Sequence, residues 1–307
     1  MKKFTKGSLM IAGGFAVIGL ICLIIAGIFG GRSIWYDIRE ANFTHGYSYT
    51  SRLTINGEEL KENQFFQDTI SAAEVEALDL TVGIGEFTIV ERDDNEDIFE
   101  LVVNGRGEVD YGVKDKTLYV EGFENYNKRY KVNWFAFSED FDWGNNQITL
   151  YVPRNKGYQD VELNIGAGSV DIIKLKADRI ISEVGAGELA VTDFTANELS
   201  VSVGVGHAEF SEAHVKDLKM DIGVGESNFY GKVDGDMDIS SNIGSTQLEL
   251  DQAENDFNYD VYCGVGNVEI ARYYYNGLGA SKYIDNDARQ ECTVNCSIGN
   301  VTIHFND

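Results

Sequence analysis

Four histidines, His45, His207, His214 and His304, are the side chains best placed by their intrinsic pKa to move protons near neutral pH. None has the neighbours of a nucleophile–base set, and His207, directly after a Gly-x-Gly pair, reads as an exposed turn residue. The chain holds 50 carboxylates, so a general acid and base could be picked anywhere and the choice would single out nothing. Cys22, Cys263, Cys292 and Cys296 have no histidine cluster beside them and give no zinc spacing. The Gly-x-Gly pairs lack the third glycine, the lysine and the helix pattern of a phosphate loop. The expectation is a protein that is not an enzyme and holds no cofactor and no metal. What remains to explain is why the glycine pairs recur.

"SEVGAGELAV", "VSVGVGHAEF" and "MDIGVGESNF" follow one another at a fixed step of 19 residues. Aligned on the first glycine, the positions are Gly83, Gly166, Gly185, Gly204, Gly223, Asn242, Gly264 and Ser297. The second glycine of each full pair is Gly85, Gly168, Gly187, Gly206, Gly225 and Gly266. The step is 19 from 166 to 242, then 22 and 33. One residue before the marker stand Val82, Ile165, Val184, Val203, Ile222, Ser241, Cys263 and Cys296; six after it, Ile89, Ile172, Val191, Phe210, Phe229, Leu248, Ile270 and Ile303. Apolar alternation of period two runs up to the glycines and away from them, with a slip between.

Each unit therefore reads as two short strands joined at a glycine corner, followed by a polar arc such as "SEAHVKD". In-register apolar columns at a period near 20 predict an all-β fold, a β-solenoid of 19-residue coils stacked about 4.8 Å apart. The glycines fall on the opposite parity from the inner residues, so they face outward or sit at the corner, where glycine adopts positive φ freely. A column of them leaves a flat strip that another segment can cover. Calcium-binding nonapeptide repeats are excluded, because Glu86, Ser169, Glu188, His207 and Glu226 stand where an aspartate is needed.

The chain has 307 residues, one proline, 33 glycines and a net charge of −25. All 50 acids and 22 of the 25 basic residues follow residue 31, which leaves −28 on that part. Such a surface repels nucleic acid and anionic lipid headgroups. The segment "LMIAGGFAVIGLICLIIAGIF" (9–29) carries no charge and is long enough to cross a bilayer. Lys2, Lys3 and Lys6 precede it, so the positive-inside rule predicts a single-pass cell-membrane protein with a cytoplasmic N-terminus and everything after Gly31 extracytoplasmic. The expected organisation is a cytoplasmic tip and transmembrane helix over 1–31, a stalk over 32–70 with a turn at "INGEEL", and a β-solenoid over 71–307. An insertion over 91–160 and a loop or hairpin over 271–290 interrupt it.

The insertion contains "NWFAFSEDFDW", whose Trp134, Phe135, Phe137, Phe141 and Trp143 form either a contact patch or a lid over the open coil end. Cys263 and Cys296 share a column and should stack on neighbouring coils, close enough for a disulfide; Cys292 competes, and buried free thiols are the equal alternative.

"LTVGIGEFTIVE", "WFAF", "QITLYVPRN" and the run from "LNIGAGSVDI" to "MDIGVGESNF" resemble the bacterial putative-adhesin domain family of unknown function, which includes LiaG-like envelope proteins. The resemblance spans about 72–307 and implies a membrane-anchored β-solenoid without catalytic residues. The family's usual corner is Gly-Ser-Gly-Asp-like; Gly-Ala-Gly and Gly-Val-Gly here make the outer strip more apolar. The functional expectation is a non-enzymatic scaffold for protein contact or envelope stress, its partner an envelope protein. The alternative is an adhesin-like binder of an extracellular ligand or wall polymer.

Overall fold

The computed structural model describes residues 53–60, 65–123 and 146–306. The chain divides into two units, Met1–Tyr49 and Thr50–Asp307, and all described residues belong to the second. The apolar segment 9–29 and the aromatics Trp134, Phe135, Phe137, Phe141 and Trp143 lie outside the described residues. Among the described residues, no helix is long and apolar enough to cross a membrane.

The unit is all-β. The first strands are β1 (Leu53–Ile55), β2 (Glu58–Glu59), β3 (Phe65–Ser71), β4 (Ala77–Val82), β5 (Glu86–Glu91), β6 (Ile98–Asn104), β7 (Gly107–Lys114), β8 (Thr117–Gly122) and β9 (Gln147–Val152). The remainder are β10 (Gly157–Ile165), β11 (Ser169–Val184), β12 (Glu188–Val233), β13 (Met237–Leu250), β14 (Phe257–Ile270), β15 (Tyr273–Ile284) and β16 (Gln290–Phe305). β12 runs 46 residues because pairing continues through its bends; it holds more than two coils.

Parallel pairing in steps of 19 builds the stack. Val184 of β11 pairs with Val203 of β12, and Ile222 of β12 with Ser241 of β13. Outer side chains repeat the step: Arg179 Nε donates to Asp160 at 2.7 Å, and Asn197 Nδ2 to Asp178 at 3.1 Å. Inside, the columns one residue before and six after the marker are all buried, from Val82 at 2% exposed to Ile303 at 0%. A lone coil cannot bury enough to offset ordering its backbone, at about 1–2 kcal/mol per residue. Shared faces and shared hydrogen bonds make the stack cooperative.

Both ends depart from chain order. Near the C-terminus the spatial order is β12-β13-β16-β14-β15. The last coil slots between its two predecessors: Ser241 pairs with Cys296, and Cys296 with Cys263. The segment 271–290, expected as a loop or hairpin, is mostly β15, antiparallel to β14. At the other end, β8 lies parallel to β4 and β9 parallel to β5, so 117–122 and 147–152 together make one more coil. The region expected as an insertion over 91–160 thus contains a coil of its own. Residues 124–145 leave it at Phe123 and return at Asn146, where the other coils carry their glycine pair.

Further strands then close this end: on one side of the corner β7 pairs antiparallel with β8 and β1 parallel with β7, and on the other β6 pairs antiparallel with β9 and β3 antiparallel with β6. These strands cover the edge of the first coil at this end. Part of the expected stalk also belongs to the domain: Leu53 and Ile55 are buried, and Asn56-Gly57 turns β1 into β2 with φ of 48° and 79°.

The glycine pairs serve close approach rather than positive φ. Gly85 alone among them has φ in the left-handed half, at 137°. A Cβ on Gly166, Gly185, Gly204 or Gly223 would meet a backbone oxygen of the preceding coil at 2.7–2.8 Å. At Gly187, Gly206 and Gly225 the oxygen is nearer still. The tight bends in φ lie elsewhere, at Lys174, Asp193 and Glu212, with φ of 70°, 56° and 51°, again 19 residues apart. Gly206→Ala should lower stability by about 1–3 kcal/mol, or the melting midpoint by about 3–10 °C, because Cβ has only backbone to displace. Gly204→Ala should cost less, since its column already accepts Asn242 and Ser297. Thermal unfolding followed by circular dichroism of the two variants checks the order.

Candidate interaction surface

The second glycine column is unbroken from Gly85 onward; only the coil before it, where Asn146 stands at that level, departs. Gly85, Gly168, Gly187, Gly206, Gly225, Gly244, Gly299 and Gly266 occupy it in stacking order. Gly244 and Gly299 were not singled out in the sequence, because their first partners are Asn242 and Ser297. The signal was present in "NIGS" and "SIGN", and it lay in the second position rather than the first.

Two glycines packed on backbone force the residue between them outward. Ala167 and Ala186 are exposed; Val205 and Val265 are each 52% exposed and Ile298 is 50% exposed. Val224 and Ile243 between them are half-buried. The sequence pattern groups this column with the inner ones; the structure turns it to solvent. Register joins the column into a continuous apolar ridge: Val224 pairs with Ile243, and Ile298 with Val265. Glycines border it on both sides, except that Asn242 and Ser297 precede Ile243 and Ile298. Beyond them stand exposed carboxylates, Glu183, Glu188, Asp221 and Glu226.

The charge on this border is crowded. Ser169 pairs with both Glu86 and Glu188, two residues from Asp171. Loss of water raises the Asp171 carboxyl above the usual carboxylate range, and the charges of Glu188 and Glu86 raise it further. A raised acid binds its proton more tightly in the folded state, so its ionisation opposes folding in full above the folded-state pKa, and the penalty fades between that pKa and the lower unfolded-state one.

The remaining chemistry is sparse. His214 Nε2 lies 2.7 Å from Asp234, which also takes Lys232 at 2.6 Å. His207 sits 3.6 Å from Glu209. No hydroxyl or thiol of the described residues hydrogen-bonds to either imidazole. A depression of about 530 Å³ near Lys216, Asp217, Asp236 and Glu291 is open and charged. No group of three potential metal ligands occurs among the described residues.

Cys263 and Cys296 are register partners, fully buried, and free thiols. Parallel neighbours point the same way, which keeps their Cβ atoms about 4.8 Å apart, beyond the roughly 3.5–4.5 Å of a disulfide. Of the two alternatives that the shared column left open, a bridge or buried free thiols, the structure carries the free thiols. Burial pushes the Cys296 thiol up to about 11, and its hydrogen bond with Cys263 adds to the shift. Cys292 is buried two inner-face positions before Cys296, against Met237 and Tyr259 in register, and burial raises its thiol as well.

Asp171→Asn should therefore raise the melting midpoint at pH 7. The gain should shrink as pH falls from the raised folded-state pKa of Asp171 toward the ordinary carboxylate value, and vanish below that value. Melting curves of the two proteins from pH 7 to pH 3 check this.

Comparison with known proteins places this geometry. No curated protein matches the chain. Among solved structures it is similar to a putative adhesin from Bacteroides fragilis, at 14% identity over 78% of this chain and 96% of that one, with a TM-score of 0.43. It is also similar to a putative cell adhesion protein from Clostridium sporogenes, at 13% identity over 80% and 100%, with a TM-score of 0.34. A putative adhesin from Parabacteroides distasonis matches at 12% identity over 81% and 99%, with a TM-score of 0.31. The Toastrack DUF4097 family matches residues 75–304, from the first strand before Gly83 to the last strand of the stack, and the chain belongs to that family.

Proposed function

We propose that the protein is a single-pass membrane protein whose Toastrack domain stands outside the cytoplasm as a non-enzymatic scaffold. In this reading the apolar ridge between the glycine columns binds an extended segment of an envelope protein. The observation that carries it is the ridge itself: Val205, Ile298 and Val265 are half exposed in one column, on a face where nothing in the fold requires an apolar residue. The carboxylates beside it select the partner's chemistry, apolar side chains flanked by lysine or arginine. The uncharged segment 9–29 and the lysines before it support the anchoring and its direction.

Two measurements test this. Protease shaving of wall-free cells should release fragments that begin after Gly31 while a cytoplasmic control stays intact; protection until lysis would overturn the placement. A photocrosslinking residue at Val205 should give a discrete adduct in cells that one at Lys216, on the polar arc, does not. Changing Val265 and Ile298 to Asp should remove the adduct with the melting midpoint unchanged. An adduct indifferent to those changes would sink the ridge as the contact surface.

A further inference from the structure

A stack of strands must end, and each end exposes unpaired backbone that can template another chain. Natural edges are blunted by shortness, charge, proline or a bulge. At the N-terminal end the chain uses two of these devices. β2 is two residues long and both are glutamates, Glu58 and Glu59; β3 carries Asp68 at its centre.

β15 at the other end is guarded less: a left-handed Gly279, with φ of 75°, and Lys282 are its only devices. It is 12 residues long, it pairs with β14 alone among the described strands, and its sequence YYYNGLGASKYI has no acid and no proline. Lys282 is its single charge in a chain of net −25. Tyr274 and Tyr283 are 57% and 53% exposed. The nearest carboxylates on β14, Asp260 and Glu269, sit one strand further in, opposite Tyr283 and Tyr274.

We propose that β15 is a homodimerisation edge, and that its occupant is β15 of a second copy, paired antiparallel about a two-fold axis near Gly279. Three features select a second copy. The net charge of −25 makes copies repel one another, so self-association is less opposed along a strand that carries no acid. The ends of the strand are complementary under antiparallel pairing: Arg272 precedes β15, while Asp285 and Asp287 follow it, so each basic end runs beside the partner's acidic end. Parallel pairing would set Arg272 beside Arg272. Arg272 also bonds Glu254 at 2.7 Å, which holds the guanidinium at this end of the strand. Finally, an isologous contact closes after two copies and leaves no further edge of this kind open. The inference is independent of the ridge and of its partner.

The test uses the full chain in detergent, with its mass followed by light scattering against concentration. A dimer is expected. Ser281→Glu combined with Lys282→Glu, both at exposed positions, should weaken self-association by about tenfold or more while the melting midpoint holds. Single cysteines placed along 277–281 in a Cys22→Ser background should crosslink most strongly around Gly279. A chain that stays monomeric across the concentration range overturns the proposal. So does a dimer that survives the double substitution and crosslinks nowhere along β15, because it would then form through another surface.

Discussion

The fold rests on backbone meeting backbone at the glycine corners. Adjacent coils repeat at the spacing of a hydrogen-bonded sheet, about 4.8 Å, and they must hold it on both sides of a bend. At a flat strand the side chains stand clear of the next coil. At the bend the Cα–hydrogen direction of one coil turns toward the carbonyl of the coil before it, and a Cβ there would sit inside van der Waals contact. The second column has the nearer oxygen and is glycine in every coil from Gly85 onward; the first has slightly more room and admits asparagine and serine. Sequence tolerance tracks the gap.

Once that contact sets the coil spacing, the rest of the stack follows from register. Buried columns, outer polar ladders and left-handed positions at Lys174, Asp193 and Glu212 all recur at 19 residues because each coil copies the backbone of its neighbour. A non-glycine residue in that conformation costs about 1–2 kcal/mol, and the stack repeats it because neighbouring coils must bend at the same place. The ends obey a different requirement. They have a neighbour on one side only, and the chain spends further strands there: β7, β1, β6 and β3 at one end and β15 at the other.

The interior of the stack was legible in the sequence, since a fixed period with matched apolar columns has few other physical readings. The order of coils at the ends was not. Columns state which residues share a height around the coil, yet they do not state which coil is next to which, because any coil of the same pattern fits against any other. The step of 33 residues from Gly264 to Ser297 signalled an extra element, now seen as β15, but carried no sign that the last coil would insert before the previous one. The coil at 117–122 and 147–152 escaped for a related reason: its glycine pair is replaced by Phe123 and Asn146 with 124–145 between them, so the marker that finds the other coils is missing. The cysteine column was legible as a contact and left bridge and free thiols equally open, because sharing a column fixes Cα spacing and says nothing of how the two side chains are aimed.

The surface ridge is a consequence of the same corner. Two glycines pressed against the neighbouring coil leave the residue between them facing water, and a folding argument stops there. Strand propensity favours β-branched residues at such a site, yet threonine would satisfy it without exposing apolar surface. Nearby outward positions of the same strands are polar, among them Glu183, Glu209, Lys219 and Asp221, so the chain does place water-compatible residues on its outer face where it can. Valine and isoleucine at 205, 224, 243, 298 and 265 are therefore the part of the repeat that stability does not explain. Identical residues stacked at one height convert a small preference per coil into a continuous edge, which is the form of surface an extended partner can follow.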